Sequence, residues 1–185
     1  MSAETDAIKH VAGLMALAAR TAPKACGIDS IGIAVVTGRE QEKLAGKMEE
    51  IAQETGMVFF RINGDQVRKS DATVLIGVEG KKTVGLNCGS CGFQSCEEMT
   101  KAGAAAKSRK ADFAGPNCIF KVADLGIAVG SAVKTASIHN VDNRVMYTAG
   151  LAALKLGMLK QCSLVYGIPL SATGRNIYWI PPMEH

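Results

Sequence analysis

Four of the six cysteines fall in one stretch of the chain, at Cys88, Cys91, Cys96 and Cys118, with the spacing C-x2-C-x4-C-x21-C. Three of these thiols come from one short loop, NCGSCGFQSC, and the fourth from a distant turn, GPNC, able to close a cage. Thiolates in this number, with no histidine among them, favour soft metal chemistry: an iron–sulfur cluster or zinc. Gly89 and Gly92 each follow a cysteine directly. A residue without a Cβ takes positive φ and lets backbone amides approach a cluster sulfur, so both count as candidate cofactor-binding positions.

Ser95-Cys96-Glu97-Glu98 matches the capping box S-x-x-E, with Ser95 as N-cap and Glu98 reaching back to it. This places Cys96 in the first turn of a helix expected to run to about Ala106. Cys118, after the turn residues Gly115, Pro116 and Asn117, is expected to open a second helix. Thiolates and an anionic cluster are both favoured at the positive end of a helix dipole, by about 0.3–1 kcal/mol per well-placed charge.

Zinc remains open on residue types alone. A zinc knuckle would need a histidine where Cys96 stands and a further cysteine where Lys101 stands, and a two-pair ribbon would need a second C-x2-C. Disulfides are the third reading; no secretion signal accompanies these cysteines, which weighs against bridges.

CGSCGFQSC followed by a lone distant cysteine resembles the small 4Fe–4S domain of certain electron-transfer subunits and corrinoid iron–sulfur proteins, over about residues 87–118. Across its length the chain resembles a family of uncharacterised prokaryotic proteins containing a ferredoxin domain. The segments that carry this are ARTAPKACGIDSI (Ala19–Ile31), the cysteine stretch and YGIPLSATGRNIYW (Tyr166–Trp179). The resemblance implies a cluster on Cys88, Cys91, Cys96 and Cys118.

At 185 residues the chain is read as a single α/β domain, with residues 84–118 as a cluster-binding insertion. Hydrophobic residues make up 48% and charged residues 21%, as in globular chains. The net charge of +4 is mild and aromatics are 5%, which argues against a nucleic-acid platform. MSAETDAIKH is acidic without an apolar stretch and does not read as a signal peptide. No apolar run is long enough for a bilayer, and six cysteines then point to a reducing cytoplasm.

The elements that must position the cysteines follow from periodicity. Thr5–Arg20 and Arg39–Thr55 carry apolar residues at helical spacing, the second closed by Gly56. Ser30–Val36, Met57–Ile62, Ala72–Val78 and Ser163–Ile168 read as strands, and Asn63–Asp71 as a short helix or loop. A helix lined with small residues should run from Cys118 to about Ser137, with Gly126 and Gly130 one turn apart for close core packing. Arg144–Leu156 is expected as another helix, started by Asp142 or Asn143. The order implies an α/β (α+β) fold: a mixed sheet of about four strands flanked by helices. It also resembles the flavin-dependent nitroreductases, although their N-terminal arginine-rich flavin signature is matched here only by Arg20 and Lys24.

Outside the cysteine stretch, SATGRN offers Arg175 and Asn176 as a phosphate grip, against a solvated loop as the plainer reading. Lys107, Arg109 and Lys110 read as a solvated helix end or a docking patch for an acidic partner. Cys162 reads as a buried small hydrophobe and Cys26 as a turn residue. His185 is terminal. Together these features imply a redox protein with one 4Fe–4S cluster, serving electron transfer or an oxidoreductase reaction with a partner protein or a small-molecule substrate. The alternatives are a zinc-stabilised binding protein and a nitroreductase-like enzyme carrying FMN. Homodimerisation is compatible with the apolar content and small-residue helices.

Overall fold

The computed structural model describes residues 2–105 and 112–179. The elements are α1 (Ala3–Thr21), a 3-10 turn (Ala25–Gly27), β1 (Ile31–Val36), α2 (Gly38–Thr55), α3 (Val58–Arg68), β2 (Ala72–Val78), α4 (Cys96–Ala105), α5 (Ile119–Ile138), β3 (Asp142–Asn143), α6 (Tyr147–Lys155) and β4 (Leu164–Ser171). The strands form one sheet in the order β1-β2-β4-β3. Every pairing is antiparallel, with Ile76 opposite Ile33 on one side and Tyr166 on the other. The α+β class and the strand count match expectation, whereas the sheet is antiparallel rather than mixed.

Every residue of β2 is buried because helices cover both faces of the sheet. Val74, Ile76 and Val78 point to a layer of α1 and α5 built on Ile8, Ala12, Met15, Leu125, Ala128 and Ala132. Leu75 points to the opposite layer, where α2, α3 and α6 supply Leu44, Met48, Ile51, Phe60, Ala149 and Ala152. Strict alternation across the sheet with two apolar faces explains why ATVLIGV is one unbroken apolar run. Helix α6 lies directly on β4: a Cβ on Gly150 would sit 1.8 Å from the Val165 carbonyl oxygen, so no other residue fits there.

Met57–Ile62, expected as a strand, is instead the start of α3. MVFFRI is rich in β-formers, yet the helix it opens buries Phe60, Asn63, Gly64, Gln66 and Val67, one face of a helix packed against α2. Gly126 and Gly130 are a second correction. Both face outward, with no atom within 4 Å of where a Cβ would stand, so they serve no packing inside this chain. Asp142 and Asn143 begin no helix; they form the edge strand β3, and α6 starts at Tyr147. No helix among the described residues is long and apolar enough to cross a membrane. Ala106, the basic run Lys107, Arg109 and Lys110, and His185 lie outside the described residues.

Candidate metal centre

The central strand delivers the chain to the site. Beyond Val78, the Gly80 N–H donates to Ser163 Oγ at 3.0 Å, and the Gly80 carbonyl accepts from the Cys118 N–H at 2.7 Å. Ser163 Oγ in turn donates to Asn117 Oδ1 at 2.5 Å, and Asn117 Nδ2 donates to the Ala114 carbonyl at 3.1 Å. Cys118 is therefore seated by groups just beyond β2, just before β4 and in its own turn. A Cβ on Gly80 would stand 2.0 Å from Asn117 Oδ1, so the seat requires glycine. Cys118 is the N-cap residue of α5 and is 5% exposed.

The other three thiols sit on a more open arm. Cys88 is exposed, while Cys91 and Cys96 are half-buried. Asn87, itself at φ 46°, accepts the Cys96 N–H on Oδ1 at 2.8 Å and so ties the loop's start to the first residue of α4. Gly89 and Gly92 adopt φ of 73° and 86°, as the sequence led us to expect, and the Gly92 N–H closes a turn onto the Gly89 carbonyl at 2.9 Å. The capping box forms on one side: Ser95 Oγ accepts the Glu98 N–H at 3.1 Å. Glu98 Oε2 accepts from the Gln94 N–H at 3.1 Å, one residue earlier than the motif predicts. The backbone N–H of Ser90, with its hydroxyl, favours the thiolate of Cys88 and lowers its pKa.

Cys88, Cys91, Cys96 and Cys118 line one pocket. Leu86, Phe93, Met99 and Ile119 supply its apolar wall. All four thiols are free of disulfides. They share the pocket without being drawn onto one point: among the described residues no three His, Cys, Asp or Glu side chains are grouped closely enough to hold a metal ion. In chemical type the donors fit a cluster, being soft, unbridged sulfurs with apolar cover and two helix N-termini beside them.

The other sequence candidates lie elsewhere. Arg175 and Asn176 line a separate groove against α3, with Lys69 and Trp179. The Asn176 amide is engaged structurally: Nδ2 donates to Asp142 Oδ1 at 3.0 Å and Oδ1 accepts the Tyr178 N–H at 2.9 Å. Cys162 is buried, and burial pushes its thiol pKa up to about 11. Cys26 is exposed at φ 54° in the 3-10 turn.

Sequence reading missed the groups that hold these elements in place. Gly80, Asn87, Asn117 and Ser163 carry no motif of their own. Lys121 and Asp124 form a buried ion pair at 3.1 Å, and each also reaches the 3-10 segment. Lys121 Nζ donates to the Ile28 carbonyl at 2.6 Å, and Asp124 Oδ1 accepts the Ala25 N–H at 2.9 Å. Their i, i+3 spacing one turn after Cys118 was the available signal.

Comparison with known proteins bears on both halves of the molecule. Residues 114–179, which include Cys118, match a family described as uncharacterised proteins containing a ferredoxin domain. An uncharacterised protein of Archaeoglobus fulgidus is 49% identical over 177 residues, covering 95% of this chain and 92% of its own. Among solved structures, the Lactococcus lactis nitroreductase CinD in complex with nicotinic acid aligns with a TM-score of 0.58 at 13% identity, over 95% of this chain and 84% of that one. A nitroreductase of Desulfovibrio desulfuricans in complex with FMN aligns with a TM-score of 0.54 at 12% identity, over 95% and 77%. The fold is nitroreductase-like.

Proposed function

Because this chain belongs to the family of uncharacterised proteins containing a ferredoxin domain, we propose that it is a redox protein holding one 4Fe–4S cluster on Cys88, Cys91, Cys96 and Cys118. One observation carries this reading: four free thiols, brought from a loop, the start of α4 and the N-cap of α5, line the same pocket. A cluster held there would pass single electrons, at a potential set by hydrogen bonds to its sulfurs and by exposure.

The residues divide that task between them. Cys118 is the buried anchor, its backbone held by Gly80 and its turn by Asn117 and Ser163. Cys96 opens α4, where the helix dipole favours a thiolate. Cys88 stands on the solvent side, toward which a partner protein or small substrate would approach. Six unbridged thiols suit a reducing cytoplasm.

Purification without oxygen, followed by a visible spectrum and assays of iron, acid-labile sulfide, zinc and acid-released flavin, tests the proposal. The expected result is a brown protein with iron and sulfide in equal amounts, lost in Cys88→Ser, Cys91→Ser, Cys96→Ser and Cys118→Ser alike. A colourless protein with one tightly held zinc would overturn it, as would iron content indifferent to Cys118→Ser.

A further inference from the structure

We infer that a second pocket, between the end of β2 and the turn that leads into β4, binds a small zwitterion carrying a carboxylate and an ammonium, as in a free α-amino acid. The pocket encloses about 520 Å³ of open space and shares no residue with the cysteine pocket. Its lining holds both signs of charge: Lys81, Lys82 and Lys160 supply ammonium groups and Glu79 a carboxylate. None of the four forms an ion pair among the described residues. Lys81 Nζ and Lys82 Nζ rest on neutral acceptors, the Gly103 and Asp29 carbonyls, each at 3.1 Å. Fixed charges of opposite sign that line one pocket without meeting suit a ligand that bears both. Its carboxylate would face the lysines and its ammonium Glu79. A dianion would be repelled by Glu79, and a plain amine by the lysines.

A second observation lies beside Glu79. The Glu79 N–H donates to the Ser30 carbonyl at 2.9 Å, which extends the β1–β2 pairing by one residue. Side chains of an opposed pair share one face of a sheet. Ser30 is 2% exposed, and its hydroxyl has no hydrogen-bond partner. A buried hydroxyl without a partner, next to a half-buried carboxylate, calls for a donor, and an ammonium offers three. Cys162 lines the same pocket, and burial, with the Glu79 charge after it, pushes its thiol pKa up to about 11. That coupling places the Glu79 charge on the face that carries the pocket.

The pocket also borders the seat of Cys118. Gly80 and Ser163 are part of its lining, and the Gly80 carbonyl accepts the Cys118 N–H at 2.7 Å. A ligand here lies against the peptide that holds the buried cysteine, which makes it the substrate class for the redox reaction. That role rests on the cluster reading, whereas the binding does not.

Isothermal titration calorimetry of the full-length protein tests the inference, with L-glutamate and L-alanine as probes. Glutarate and propionate, which lack the ammonium, and propylamine, which lacks the carboxylate, are the controls. The expected result is saturable binding of at least one amino acid, with its controls about tenfold weaker, the factor equivalent to one charge-assisted hydrogen bond. Glu79→Gln and Lys82→Met/Lys160→Met should each weaken the amino acid to a similar degree, while Arg175→Ala, in the separate groove, leaves it unchanged. Cys88→Ser should also leave the titration unchanged, so failure here and failure of the cluster assignment are separable. The proposal falls if neither amino acid binds saturably, or if glutarate binds as tightly as L-glutamate and propylamine as tightly as L-alanine. It falls equally if Glu79→Gln, with an unaltered circular dichroism spectrum, binds like wild type.

Discussion

The Cys118 backbone N–H rests on the Gly80 carbonyl oxygen at 2.7 Å, joining the end of the central strand to the N-cap of α5. That bond couples the sheet to the buried member of the cysteine set. Around it, Ser163 and Asn117 close a ring of hydrogen bonds in which no side chain can replace the hydrogen of Gly80.

Gly80→Ala should therefore be far more damaging than an ordinary surface change. Its new methyl group would displace Asn117, and overpacking of this kind costs about 1–3 kcal/mol. The expected outcome is a lower melting temperature together with reduced iron content. A wild-type melting curve and full iron loading would show that the seat yields freely.

Asn87→Ala separates site from scaffold. It removes the acceptor for the Cys96 N–H at an exposed position. The stability loss should stay near 1 kcal/mol, the usual worth of one such bond, while the cluster bleaches faster in air. Visible absorbance followed over time after exposure to oxygen measures this directly.

Lys121→Met should leave Asp124 buried with its charge unopposed, since the two side chains are 0% and 3% exposed. Breaking such a pair costs about 3–5 kcal/mol, whereas replacing both members by apolar residues is often tolerated. Urea denaturation should show a large loss in the single variant and substantial recovery in Lys121→Met/Asp124→Leu. Equal losses in the two would contradict the assignment.

Cys162 should be the slowest thiol to alkylate. With its pKa at about 11 against an ordinary 9.0, its thiolate fraction at pH 8 is roughly a hundredfold lower than that of a free cysteine. Mass mapping after brief iodoacetamide treatment of the metal-free protein tests this, with Cys26 as the exposed comparison. The raised pKa also has a stability consequence. Its contribution is complete below about pH 9 and is lost as pH rises toward about 11, so the chain should weaken across that window.

By itself the sequence determined what depends on neighbours a few residues apart. The cysteine spacing, the Ser95–Glu98 cap, the positive φ at Gly89 and Gly92, and the start of α4 at Cys96 are local facts, legible from types and offsets. So is β2, whose seven consecutive buried residues announce a strand covered on both faces. Only the tertiary structure decided the rest. MVFFRI became helix because packing on α2 rewards a period that local β-propensity opposes. Gly126 and Gly130 turned outward because Leu125, Ala128 and Ala132 take the inward face of α5. The seat of Cys118 draws on Gly80 and Ser163, and the pocket beside it on Glu79, Lys82 and Lys160. These groups lie far apart in the chain, and no short window of residues encodes their meeting: folding brings them together because the sheet and its two helical layers leave one compact way to bury their apolar faces.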